Sequence, residues 1–268
     1  GIYLRTSSNN NILTSNTGTS NSDIGIRFYS SSNNSLTSNT GTSNSSYAVY
    51  LQNSNNNTLI NQIAIGYLTN SYGIAFRGSN NTIIKDCVNV TGVSGDVLYV
   101  TALSINNTFI NCSYRTTGTN ETVLSGGDLT RKWYYSAYVN DTNSQAVGSA
   151  NVSAYNLSSM IQDSLLTNGT GYTNITALTE YVNIGGTRTY YNNYTINATK
   201  SGYTKNEHTI NFTLTNNTLN DLFTFNATLN ISTTVAINQT GTTGGTVTRG
   251  QNVTINATII NATTISNV

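Results

Sequence analysis

The chain has 268 residues and no proline, where average usage of ~5% would give about 13. Charge is nearly as scarce: 11 basic and 10 acidic residues make up 8% of the chain. So thin and balanced a set of charges builds no field able to hold nucleic acid or an anionic membrane. One His and two Cys cannot furnish a four-ligand His/Cys metal site. No apolar run approaches the ~20 residues of a membrane span. In place of these stand 44 Asn, 46 Thr and 30 Ser, 120 of the 268 residues. A polar tract of this kind can be disordered. Against that, apolar residues are 37% of the chain, with 18 Tyr and 6 Phe, and they recur at fixed intervals. Gly1 is not an initiator Met and Val268 falls in mid-pattern, as expected of a trimmed piece of a longer chain.

The intervals define a repeat. Gly1-Ile2-Tyr3-Leu4 returns as Gly25-Ile26-Arg27-Phe28, Ala48-Val49-Tyr50-Leu51, Gly73-Ile74-Ala75-Phe76 and Asp96-Val97-Leu98-Tyr99. A second signature follows in each unit, beginning at Asn11, Asn34, Asn57, Asn81 and Asn107. A unit of about 23 residues with short period-2 apolar segments cannot bury its own face and must stack on its neighbours. The paired apolar residues, two apart, point to one side of a strand. Stacking at about 4.8 Å per coil aligns like residues, so the five Asn are expected to form an amide ladder. The first two units have too few aliphatic residues for a leucine-rich repeat. The predicted fold of residues 1–125 is a parallel β-helix of about five coils. These residues resemble the right-handed β-helix repeats of NosD-type and related carbohydrate-binding surface proteins.

After Ser125-Gly126-Gly127 the pattern changes. Strands are predicted at 133–139, 150–157, 194–200 and 208–214, with Asn/Asp/Gly turns between them, the spacing of a β-sandwich. Residues 129–228, above all Lys200-Ser201-Gly202-Tyr203, resemble carboxypeptidase-regulatory-like, transthyretin-like domains. The family's Gly and Pro after the first turn are replaced by Ser144 and Gln145. Residues 229–268 resemble the opening of an Ig-like module, too short to close alone and open to completion by strand addition from a neighbouring subunit. Together these resemblances imply an all-β cell-surface protein of archaeal type.

The sequon Asn-x-Ser/Thr occurs 23 times, against about 12 expected from composition. Eight lie before Thr130, near chance, and Asn33, Asn56, Asn80 and Asn106 come with the ladder signature. Fifteen follow, well above chance, which points to N-linked glycans, with Asn151, Asn174, Asn197, Asn226 and Asn256 the favoured acceptors. Cys87 and Cys112 fall in adjacent coils, six and five residues after Asn81 and Asn107. Two readings stay open: a disulfide, or two stacked thiols, which the one-residue offset favours.

Little supports catalysis. Residues 1–125 hold only Asp23, Asp86, Asp96 and Glu121 as carboxylates, at no common phase, whereas β-helix lyases and hydrolases need clustered ones. Asp86 and Asp96 read as solvated loop residues, and His208 as an exposed turn. Arg5, Tyr29, Gln52 and Arg77 share one phase, either as a solvated face or as a sugar contact. Trp133, with Tyr134, Tyr135 and Tyr138, reads as core packing rather than a sugar platform. NosD-type copper binding would need Met or His, and residues 1–125 contain neither. The expectation is a structural extracellular protein that is not an enzyme and takes no cofactor. Its partner is itself, through two open β-helix ends that stack head to tail. The alternatives are a carbohydrate-binding adhesin contacting surface polysaccharide and, more remotely, a polysaccharide lyase or hydrolase.

Overall fold

The computed structural model describes residues 1–99, 103–212 and 219–228. The third module, 229–268, and with it Asn256, lies outside the described residues. Among the described residues every regular element is a strand except the single 3₁₀ turn Gly118–Asn120. The chain first winds an all-β solenoid of right-handed type, about five turns long. One face stacks Ile2–Arg5, Ile26–Tyr29, Tyr47–Gln52, Tyr72–Arg77, Gly95–Tyr99 and Glu121–Thr122. A second stacks Ile12–Thr14, Ser35–Thr37, Thr58–Ile60, Ile83–Lys85 and Asn107–Ile110. A third stacks Thr17–Ser20, Thr40–Ser43, Ile63–Gly66 and Asn89–Thr91.

The register follows the repeat. Ile2, Ile26, Val49, Ile74 and Val97 align, as do Leu4, Phe28, Leu51 and Phe76. They meet Leu36, Leu59, Ile84 and Phe109 of the second face in one buried core. The third face packs tightly against the start of the first. A Cβ on Gly18 would sit 2.3 Å from the Gly25 carbonyl oxygen, and one on Gly41 2.4 Å from that of Ala48, so both positions need glycine.

Each coil turns through left-handed corners that align from coil to coil. Asn10, Asn33, Asn56, Asn81 and Asn106 form one such column, and Ser15, Ser38, Asn61, Asp86 and Asn111 another. Left-handed backbone is costly for most L-residues and least so for Gly, Asn and Asp. Corner N–H groups also bridge coils, as in Asn33 N to Asn55 O at 3.0 Å and Asn61 N to Lys85 O at 3.0 Å. Proline has neither the positive φ nor the N–H. The solenoid therefore explains the missing proline of residues 1–125 and much of the surplus Asn.

The solenoid does not stop in a linker at 126–128. The strand Asp128–Asp141 begins as a further rung of the second face: Asn107 to Ile110 pair in parallel with Leu129 to Lys132. Leu129 is buried in the solenoid core, while Trp133, Tyr135, Ala137 and Val139 of the same strand enter a second core. Thr176–Ile184 pairs antiparallel and Leu219–Phe225 parallel with this strand, and Thr187–Tyr190 extends the sheet. A second sheet, Ile161–Leu166, Asn151–Tyr155, Tyr194–Thr199 and Asn206–Ile210, shares the second core. This corrects the expectation of two open β-helix ends, because the last coil is covered by the second unit. In the first turn after the long strand, the Asp141 carboxylate accepts from Asn143 N and Gln145 N, both at 2.9 Å. Ser144 takes the left-handed position there, at φ 60°.

Candidate functional site

Two polar columns run inside the solenoid wall. In the first, Asn34 Oδ1 accepts from Asn11 N at 2.9 Å and from Asn11 Nδ2 at 3.0 Å. Asn57 Oδ1 accepts likewise from Asn34 N at 2.9 Å and Asn34 Nδ2 at 3.1 Å. The next member is Thr82, not Asn81: Thr82 N donates to Asn107 Oδ1 at 3.0 Å. Asn81 instead occupies the left-handed corner, at φ 57°. Asn81 aligns with the corner residue Asn56, and Thr replaces Asn at the ladder position of this coil. Thr82 leaves a flaw, since its buried Oγ1 has no partner.

The second column went unnoticed in the sequence. Asn16 N and Nδ2 donate to Asn39 Oδ1 at 2.8 and 3.1 Å. Gln62 follows, donating to Leu36 O at 3.1 Å and Ile60 O at 2.8 Å. The pairing of Lys85 with Ile110 puts Cys87 and Cys112 at the same phase of this column. They form a disulfide with Cα atoms 4.7 Å apart. The apparent offset between the two cysteines came from counting from Asn81; counted from Thr82 it vanishes. A serine column adds Ser31 N to Ser54 Oγ and Ser54 N to Ser79 Oγ, both at 3.0 Å.

The outer surface of the first face is the most developed exposed chemistry. Arg5, Tyr29, Gln52 and Arg77 do align. Beside them the Arg27 guanidinium lies 5.1 Å from the Tyr3 ring centre, 5.5 Å from Tyr29 and 5.9 Å from Tyr50. It donates to Gln52 Oε1 at 3.1 Å, and its buried Nε has no partner among the described residues. Tyr47 stacks on Tyr50 at 4.7 Å and lies 5.7 Å from Tyr72. Burial, followed by the neighbouring Tyr50 and Tyr72, pushes the Tyr47 phenol above its ordinary value.

The carboxylates are occupied elsewhere. Asp96 is fully buried, correcting its reading as a solvated loop residue. It accepts from Arg115 Nη2 at 2.6 Å and Gly92 N at 3.0 Å. Asp86 accepts from Asn111 Nδ2 at 2.9 Å and from the Tyr134 hydroxyl at 3.3 Å. Glu121 closes the junction between the cores, taking the Tyr114 hydroxyl at 2.8 Å, Asn183 Nδ2 at 2.8 Å, Arg188 at 2.9 Å and the Tyr181 hydroxyl. Trp133 is fully buried and donates to Glu180 at 2.6 Å. His208 is not in a turn: it lies on Asn206–Ile210, 2.8 Å from Asp221, and stacks on Phe223. Among the described residues no three His, Cys, Asp or Glu gather as a metal cluster.

Of the favoured glycan acceptors, Asn174 and Asn226 are exposed. Asn151 is half-buried, giving its amide to Ser153 Oγ at 3.1 Å and accepting from Ser164 Oγ at 2.7 Å. Asn197 is half-buried with its Oδ1 enclosed.

A family model described as periplasmic copper-binding protein (NosD) matches residues 1–67. The resemblance to NosD-type parallel β-helices therefore has both sequence and fold behind it. No curated protein matches the chain. The matched stretch does not fit copper. It contains no His, Cys or Met, the imidazole, thiolate and thioether donors that copper selects, and Asp23 is its one carboxylate. Its inward Asn side chains, Asn34, Asn39 and Asn57, are bonded within the ladders. Among the described residues no helix is long and apolar enough to cross a membrane.

Proposed function

We propose that the chain is a structural element of an extracellular surface, a stalk, filament or layer subunit that carries N-linked glycans and performs no chemistry of its own. The observation that supports this best is the strand Asp128–Asp141. One strand serves two cores, and Glu121 with Arg188, Tyr114 and Tyr181 seals the joint, so load on one unit passes directly to the other. In this reading the two sheets after the solenoid act as a transthyretin-like sandwich and residues 229–268 as an Ig-like module. In this reading self-association uses a surface other than the second-face edge that the strand Asp128–Asp141 occupies. Protease shaving and antibody labelling of intact cells test the reading. The expected result is surface label on a regular assembly, and a cytoplasmic, unassembled protein would overturn it.

The first face supports a second reading, a carbohydrate-binding adhesin. The exposed Tyr3 ring and the half-buried Arg27 guanidinium beside it are groups that sugar rings and hydroxyls engage. Glycan-array binding by the monomer that disappears in Arg27→Ala would favour it. Reducing-sugar release would favour an enzyme instead.

A further inference from the structure

The left-handed corner before the second face is Asn in every coil: Asn10, Asn33, Asn56, Asn81 and Asn106, with φ between 56° and 61°. Backbone conformation accounts for these five residues. It does not account for the residue two places on, the first outward residue of the second face. That residue is Ile12, Ser35, Thr58, Ile83 and Thr108 in turn. At a half-exposed strand position Ile and Thr serve alike. Three coils thus present an exposed corner Asn with a hydroxyl two residues later: Asn33 with Ser35, Asn56 with Thr58 and Asn106 with Thr108.

We propose that Asn33, Asn56 and Asn106 are acceptors for N-linked oligosaccharide, forming a glycan column along one edge of the solenoid. The inference rests on the extracellular reading above. The donor is a lipid-linked oligosaccharide and the transferase belongs to the cell. Asn Nδ2 bonds to the anomeric carbon, the bond from that carbon to the donor phosphate oxygen breaks, and the amide proton leaves to the enzyme's base. The exposed corner leaves Nδ2 free for this. The fourth sequon of the series, Asn80-Asn81-Thr82, does not: Asn80 is half-buried with its Oδ1 bound to Ile105 N at 2.8 Å, and Thr82 is buried in the ladder column. It stays bare. Asn33 and Asn56 are one coil apart, about 4.8 Å, too close for two branched sugars, so a molecule carries one or the other. Asn106 lies two coils further on, at about 9.6 Å, and is independent.

Glycopeptide mass spectrometry of the protein from its own cells tests this, beside Thr58→Val, which keeps a β-branched residue on the strand. The expected result is sugar on Asn106 and on one of Asn33 and Asn56 per molecule, with none on Asn80. In Thr58→Val the Asn56 signal disappears, Asn33 occupancy rises and the melting temperature stays put. Bare corners in a protein glycosylated at Asn174 or Asn226 would overturn the corner assignment and leave the extracellular reading standing. Occupancy of Asn80 equal to that of Asn106 would also overturn it. A protein without sugar anywhere overturns it too, and protease shaving of intact cells then decides the extracellular reading separately.

Discussion

At the scale of single residues the ladders make Asn a structural side chain. The buried carboxamides of Asn57 and Asn107 satisfy groups of the preceding coil, so removing one leaves those partners unpaired. Asn57→Ala takes the acceptor from Asn34 N and Nδ2 and the donor from Ser31 O. The expected cost is about 3 kcal/mol in urea unfolding, from buried groups left without partners. Thr82 is the converse case. Its column takes Asn at 34, 57 and 107, and its own buried hydroxyl is unpartnered. Thr82→Asn is therefore expected to raise stability by about 1 kcal/mol with an unchanged denaturant slope. A loss of stability would show that this coil cannot take the wider amide. The sequence displayed the Asn signature but not that Asn81 is the corner residue, because adjacent Asn occupy corner and ladder positions and only the strand register tells them apart.

At the scale of elements, inward apolar pairs such as Ile26 with Phe28 made the solenoid strands legible, because neighbouring copies repeat them. The second unit has no copies to compare. The strands 133–139, 150–157, 194–200 and 208–214 were visible by alternation, and all overlap observed strands. Ile161–Leu166, Thr176–Ile184, Thr187–Tyr190 and Leu219–Phe225 were not. Ile161–Leu166 lies at a sheet edge with Ile161 and Leu166 exposed, so its apolar pattern does not mark a buried face. The start of Asp128–Asp141 was hidden because its inward position 131 carries Arg131, a charge that reads as solvent-facing although it is buried. Where the amide ladder runs out, Cys87 and Cys112 continue the column with a covalent link closing 25 residues. Chain entropy assigns such a loop about 3.5 kcal/mol. Reduction, or the double variant Cys87→Ser with Cys112→Ser, is expected to lower stability by about that amount without altering the far-UV spectrum at rest. An unchanged unfolding midpoint would mean the ladder alone holds these coils.

At the scale of the whole molecule, charge is spent inside. Asp96, Glu121, Arg131 and Glu180 are buried in a chain that is 8% charged. The joint also buries phenols. Burial, then the Glu121 carboxylate, pushes Tyr114 and Tyr181 well above the usual range, and burial, then Asp221, does the same to Tyr135. The unfolded chain ionises its tyrosines near pH 10 while the folded protein keeps these protons. Stability from this source is full below about pH 10 and lost as pH rises beyond it. Tyrosinate absorbance for these residues should thus appear together with unfolding in alkaline titration, and full ionisation of an intact fold would refute the buried joint. The central claim is that two locked β units, coated in sugar, build a surface rather than catalyse. Immunogold electron microscopy of intact source cells tests it most directly. Gold on regular filaments or sheets outside the cell is the predicted result, and label confined to the cell interior, or to scattered unassembled particles, would contradict it.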